Sequence, residues 1–153
     1  MRPNLLKAIL GGFVGTVVMT LMMYFVAPMM LGAPMDIAAM LGRVLGGSWT
    51  MGMLMHFVNG TVIFSLIYAY GLYRGLPGEP WLKGATWGVI LWLLSQVLVM
   101  PMMGAGFFSA KTGGLMAVMA SLIGHVVYGV LLGVVAGRAE APARQRVEAS
   151  ARG

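Results

Sequence analysis

The sequence predicts an all-α integral membrane protein: a four-transmembrane-helix bundle built from two parallel-repeat helical hairpins, with both chain ends in the cytoplasm. Three observations predict it. Of 153 residues, 59% are hydrophobic and only 9% charged, against about 25% charged in a soluble domain. Four apolar runs, 5–27, 51–73, 84–103 and 115–137, each approach the roughly 20 residues that a helix needs to cross a bilayer. They are far too long for barrel strands, and only helices or closed barrels satisfy the backbone in lipid. Finally, eight of the ten basic residues fall on one side of these runs.

The first run follows Arg2 and Lys7, as a signal peptide would. It is longer than a signal core and no small-x-small cleavage site follows it, so a retained helix is expected. Pro28 to Pro34 is expected to break that helix. Asp36 then caps a short helix, 37–45, which Gly46-Gly47 ends. Its Ile37, Met40, Leu41 and Val44 share a face, which suits a helix lying in the outer interface. The turn Arg74 to Pro80 holds Gly75, Pro77, Gly78 and Pro80, and its shortness makes the second and third spans antiparallel neighbours. The outer loop, 104–114, carries Phe107 and Phe108, which are expected to dip back toward lipid. Residues 1–137 form the transmembrane domain and 138–153 a basic, solvated cytoplasmic tail.

Arg2, Lys7, Arg74, Lys83, Arg138, Arg144, Arg146 and Arg152 lie on the side of the N-terminus, and Arg43 and Lys111 on the other. The positive-inside rule places the first group in the cytoplasm. Trp49 and Trp81 suit the aromatic belts at the two interfaces. The net charge of +6 flanks apolar spans instead of forming an extended patch, which argues against a nucleic-acid partner. The expected partners are the lipid bilayer and either further copies of the chain or other membrane subunits.

The two halves carry the same landmarks in the same order. Leu6-Lys7 and Leu82-Lys83 open the first and third spans, and Gly12 and Gly88 follow each lysine at five residues. Pro28-Met29-Met30 matches Pro101-Met102-Met103, and His56-x-Val-Asn-Gly60 matches His125-x-Val-Tyr-Gly129. A parallel repeat makes the two histidines equivalent and can aim both at a central axis. Their depths are left open: His56 lies 18 residues before Arg74 and His125 lies 13 before Arg138. That difference is roughly 7 Å if the arginines mark one plane. It mostly vanishes if Tyr68, Tyr70 and Tyr73 mark the boundary instead.

An ionisable side chain inside a span raises a question of function, and His56 and His125 are the two histidines of the chain. Gly52 and Gly60 flank His56 at i±4; Ser121 and Gly129 flank His125. Small residues there leave a flat slot for haem b or a chlorophyll, with imidazole on the metal. Equally, they allow close helix packing with a histidine hydrogen bond across it. Asn59, Gln96 and Tyr128 are the candidate polar partners, and the packing reading is preferred. Met51 and Met55 share a helical face near His56, so a Cu(I) site of thioethers with His56 and His125 is a further alternative. Apart from Met1, the methionines all fall in the outer half, where they also serve as adaptable apolar filler. Glycine stripes such as Gly11-x-x-x-Gly15 and Gly84-x-x-x-Gly88 mark close packing, within the bundle or between protomers. The four acidic residues lie outside the spans, no serine elbow or phosphate loop is present, and the absence of cysteine removes thiolate chemistry. A non-enzymatic protein is expected.

Gly11 to Thr16, Val18-Met19-Thr20, Asp36-Ile37 to Leu41-Gly42, His56-Phe57 with Gly60, Pro101-Met102-Met103-Gly104, and Gly124-His125 with Tyr128-Gly129 together carry a resemblance. Over residues 5–137 the chain resembles a bacterial family of small, Met- and Gly-rich four-helix membrane proteins classed as a domain of unknown function. The resemblance implies the four-helix architecture and a bacterial inner membrane, and implies no activity.

Overall fold

A computed structural model describes residues 3–138. They form five helices: α1 (Leu5–Leu31), α2 (Ile37–Val44), α3 (Trp49–Leu72), α4 (Pro80–Met102) and α5 (Gly114–Ala136). All but α2 are long and apolar enough to cross a membrane. The end of the bundle where α1 begins and α5 finishes is termed terminal, and the other end distal. The expected tail falls at 139–153, outside the described residues, except for Arg138. That residue pairs with Glu79 at 2.8 Å.

Helix ends follow the local chemistry. Asn4 caps α1 by accepting the Lys7 N–H, and Ser48 caps α3 by accepting the Met51 N–H. Pro80 opens α4, where a missing N–H costs nothing. The first helix ends inside the expected 28–34 break, at Leu31 before a left-handed Gly32, so Pro28 itself lies within the helix and the span runs past the expected 27. The backbone widens just before Pro28, with the Ala27 N–H donating to Met22 O five residues back, and α1 continues to Leu31. A widened turn moves the preceding carbonyls off the register in which a proline ring would clash. Pro101 in α4 follows the same device, Met100 N–H to Ser95 O, at the same spacing.

The packed pairs are α4 with α5, α5 with α1, α1 with α3, and α2 with the first turns of α3. Glycine decides how close they come. A methyl group on Gly84 would overlap the Gly129 carbonyl, one on Gly88 the His125 carbonyl, and one on Gly12 the Ser65 hydroxyl. On Gly11 it would stand 2.9 Å from Leu132 O. The glycine faces are therefore consumed inside the chain. In the terminal half this brings Ala8, Tyr68 and Leu132 to full burial beside Trp87, Leu91 and Tyr128.

Helices α3 and α4 run antiparallel, as the short turn required, but they meet at their terminal ends. Phe64 and Trp87 stand edge to face at 6.4 Å, the Tyr68 hydroxyl reaches Pro80 O at 3.5 Å, and the Lys83 ammonium caps α3 through Tyr73 O and Leu76 O. Distally they part. A full pseudo-two-fold would repeat the α1–α5 contact between α4 and α3, and that extended contact is missing. The first hairpin instead carries α2 against α3.

Helix α2 lies against the first turns of α3. The Met35 N–H donates to Met23 O, eight residues short of the end of α1, or about 12 Å inside it. The chain thus folds back into the bundle before α2 starts, and α2 climbs out along α3 through the Gly42 and Gly52 contacts. Phe107 and Phe108 are exposed, while Ser109 turns inward through a left-handed backbone (φ 49° at Phe108, 52° at Ser109).

Gly84→Ala should therefore lower stability by about 1–3 kcal/mol or more, because backbone carbonyls cannot yield to the added methyl. At Gly71 a methyl meets only the Ile67 side chain at 3.9 Å, so Gly71→Ala should stay within about 0.5 kcal/mol. Unfolding of the purified variants in one detergent measures both.

Candidate ligand cavity

The distal half of the bundle is hollow. A cavity of about 750 Å³ lies between α1, α3, α4 and α5, with α2 and the distal loops at its mouth. Its floor is made by Thr16, Gly60, Phe64, Leu91 and Tyr128. The Tyr128 hydroxyl donates to Gly60 O at 2.6 Å across the bundle, and Thr16 packs on Gly60. Methionines 19, 22, 23, 30 and 100 supply much of the wall. Leu94 both lines the cavity and is 45% exposed, which marks the flank where α4 parts from α3.

Both histidines line this one cavity. The floor settles their depth. His56 stands four residues distal of Gly60 and His125 three residues distal of Tyr128, so each lies about one helical turn above the same hydrogen bond. The offset implied by the arginines is not observed; Arg74 and Arg138 do not mark one plane.

Hydrogen bonding holds both rings. The Thr20 hydroxyl donates its hydrogen to Thr16 O at 2.7 Å and stands 3.1 Å from His56 Nε2. Thr20 thereby holds the His56 ring through Nε2. His125 Nδ1–H donates to Ser121 O at 2.8 Å, which leaves Nε2 bare. Behind it, the Ser109 hydroxyl donates to Gln96 Oε1 at 3.0 Å and Gln96 Nε2 donates to Ser121 Oγ at 3.2 Å. Gln96 is fully buried, and this chain anchors the wall that carries His125. His125 Nε2 is not among the occluded, unpartnered side-chain atoms of the described residues, and its side chain lines the cavity.

The other expected site residues divide. Asn59, Gly60, Ser121 and Tyr128 line the cavity with the histidines. Gly52 and Gly129 do not: Gly52 packs on Ala38 O and Gly129 on Gly84 O. The flat slots expected at i±4 are filled by neighbouring backbone at these two positions, and Gly60 is covered by Thr16. Met51 is 45% exposed, and neither it nor Met55 lines the cavity, so the expected grouping with His56 is not formed there. The thioethers near the histidines come from α1 instead. Among the described residues no three His, Cys, Asp or Glu side chains gather as a metal cluster.

Sequence reasoning missed Asp36, which was set aside as lying outside the spans. Its carboxylate lines the cavity and accepts from the Ala39 N–H (2.9 Å), the Tyr24 hydroxyl (2.8 Å) and Trp49 Nε1–H (3.1 Å). Partial burial pushes its pKa up, but the Ala39, Tyr24 and Trp49 donors outweigh that and hold it below its ordinary 3.8. The cap itself was legible; the fold-back that brings Tyr24 and Trp49 to it was not.

Residues 2–147 match the model of a family of unknown function, DUF6789. The chain belongs to this family. No curated protein and no solved structure matches it.

Because the folded pKa of Asp36 is depressed, its contribution to stability is complete above the unfolded value. It is lost as pH falls through the folded value. Acid titration of the membrane-reconstituted protein should show a tryptophan fluorescence change with a midpoint below 3.8. The change should vanish in Asp36→Asn, and its persistence there would remove Asp36 as the titrating anchor.

Proposed function

We propose that this member of the family is a non-enzymatic, multi-pass protein of the bacterial inner membrane that holds a lipid-soluble small molecule in the distal half of its bundle. The cavity carries this reading. Its volume falls in the roughly 300–1,000 Å³ range of small-molecule sites, and it pairs apolar walls with a few convergent polar groups. The bilayer supplies the ligand, which enters where α3 and α4 part. Among the described lining residues the one carboxylate, Asp36, has three donors on its Oδ1, one of which, Trp49 Nε1–H, also reaches Oδ2 at 3.2 Å, which favours holding over acid–base chemistry.

The chain ends face the cytoplasm in this proposal, on the distribution of basic residues, so the cavity belongs to the outer leaflet. Two packed hairpins, with a widened turn at the same distance before Pro28 and Pro101, support descent from a duplicated unit. Self-association, or docking to another subunit, gains no support from the glycine stripes, because those faces are already covered within the chain.

Gly124 gives the test. It lines the cavity on α5, and a methyl there would meet only the Met19 side chain at 3.6 Å. Gly124→Leu should narrow the cavity beside His125, where the neighbouring atoms belong to the flexible Met19 side chain and not to backbone. Organic extraction of gently purified protein, followed by mass spectrometry, should recover a stoichiometric apolar or amphipathic molecule. The variant should retain about tenfold less. Equal recovery from both, or none from the wild type, would overturn the reading.

A further inference from the structure

We propose that the cavity takes a carboxylated iron tetrapyrrole of the haem b class, with His125 Nε2 as an axial ligand to the iron. This rests on the cavity being a ligand site and names the ligand class. Three features of the cavity converge on it.

The first is the state of the imidazole. His125 Nδ1–H is spent on Ser121 O, which fixes the ring and presents Nε2 as a lone pair at the cavity wall. A backbone carbonyl behind a ligating imidazole both orients the ring and raises its basicity. Gln96, Ser109 and Ser121 brace that wall from behind.

The second is the size of the space. The described residues gather no three His, Cys, Asp or Glu side chains, so a bare metal ion would have to complete its shell from the α1 thioethers. It would also leave most of the 750 Å³ empty. A macrocycle brings four nitrogens of its own, asks the protein for an axial ligand, and fills the volume with apolar ring. The wall suits it, since methionine side chains pack adaptably against aromatic faces.

The third is charge. The charged side chains among the described lining residues are Asp36 and Arg43. Asp36 is held by its three donors, which leaves the exposed Arg43 on α2 at the mouth to meet an anion. A ring ligated by His125 can turn its carboxylate edge toward that mouth, where Arg43 and water meet it. His56, with its Nε2 held by the Thr20 hydroxyl, stands on the facing wall.

The probe is hemin, titrated into the full-length protein after removal of endogenous ligand in lipid nanodiscs, with metal-free protoporphyrin IX run in parallel. Wild type should bind hemin stoichiometrically, with a sharpened and shifted Soret band, and about tenfold or more tightly than the metal-free ring. His125→Ala should lose the shifted band, and free imidazole added to that variant should restore it. Gly124→Leu should exclude the ring although His125 is intact. Equal affinity for the two rings, or an unchanged Soret band in His125→Ala, would overturn the assignment. If extraction recovers another molecule that Gly124→Leu displaces, and hemin fails, the cavity reading stands and the haem assignment falls.

Discussion

The hydrogen bond from the Tyr128 hydroxyl to Gly60 O is the contact on which the rest of the bundle depends. It ties α5 to α3 across α1 at mid-depth and divides the protein into two unlike halves. On the terminal side, glycine contacts close the helices onto a core of Tyr68, Trp87 and Leu132. On the distal side the helices bound a hollow. Buried hydroxyls need partners. A Gly60 carbonyl at the bundle centre supplies one because no side chain stands in the way.

Seven methionines, 19, 22, 23, 30, 35, 40 and 100, line the cavity, and the other methionines of the distal half lie elsewhere on the bundle. A cavity wall in lipid must stay apolar without locking into a fixed shape, and unbranched methionine does this better than leucine or valine. The polar groups of the distal half are few, and nearly all are committed: Gln96 to Ser121 and Ser109, Asp36 to Tyr24 and Trp49, Thr20 to Thr16 and His56. His125 Nε2 keeps a free lone pair, and the His56, Asn59 and Arg43 side chains line the same space.

The left-handed backbone at Phe108 and Ser109 belongs to the same design. Non-glycine residues adopt it at a cost, and here it turns Ser109 inward to satisfy the buried Gln96 carbonyl oxygen. The distal loop thereby closes the polar chain that holds the His125 wall.

Much of this was legible in the sequence because membrane solvation imposes local rules. Twenty apolar residues in a row must be a helix, a short Gly/Pro turn must join antiparallel helices, and Asp36 ahead of an apolar octet must cap it. The equivalence of the two histidines was suggested by the repeated motif, while their relative depth was left open. The tertiary structure decided what depends on contacts between distant segments: that Pro28 is absorbed by a widened turn, that α3 and α4 part, and that Gly52 and Gly129 face backbone instead of a ligand. It also decided that Asp36 folds back among Tyr24 and Trp49. Periodicity states which face of a helix a residue occupies, but not which neighbour arrives there. In this chain the neighbour is what separates a packing glycine from a cavity wall.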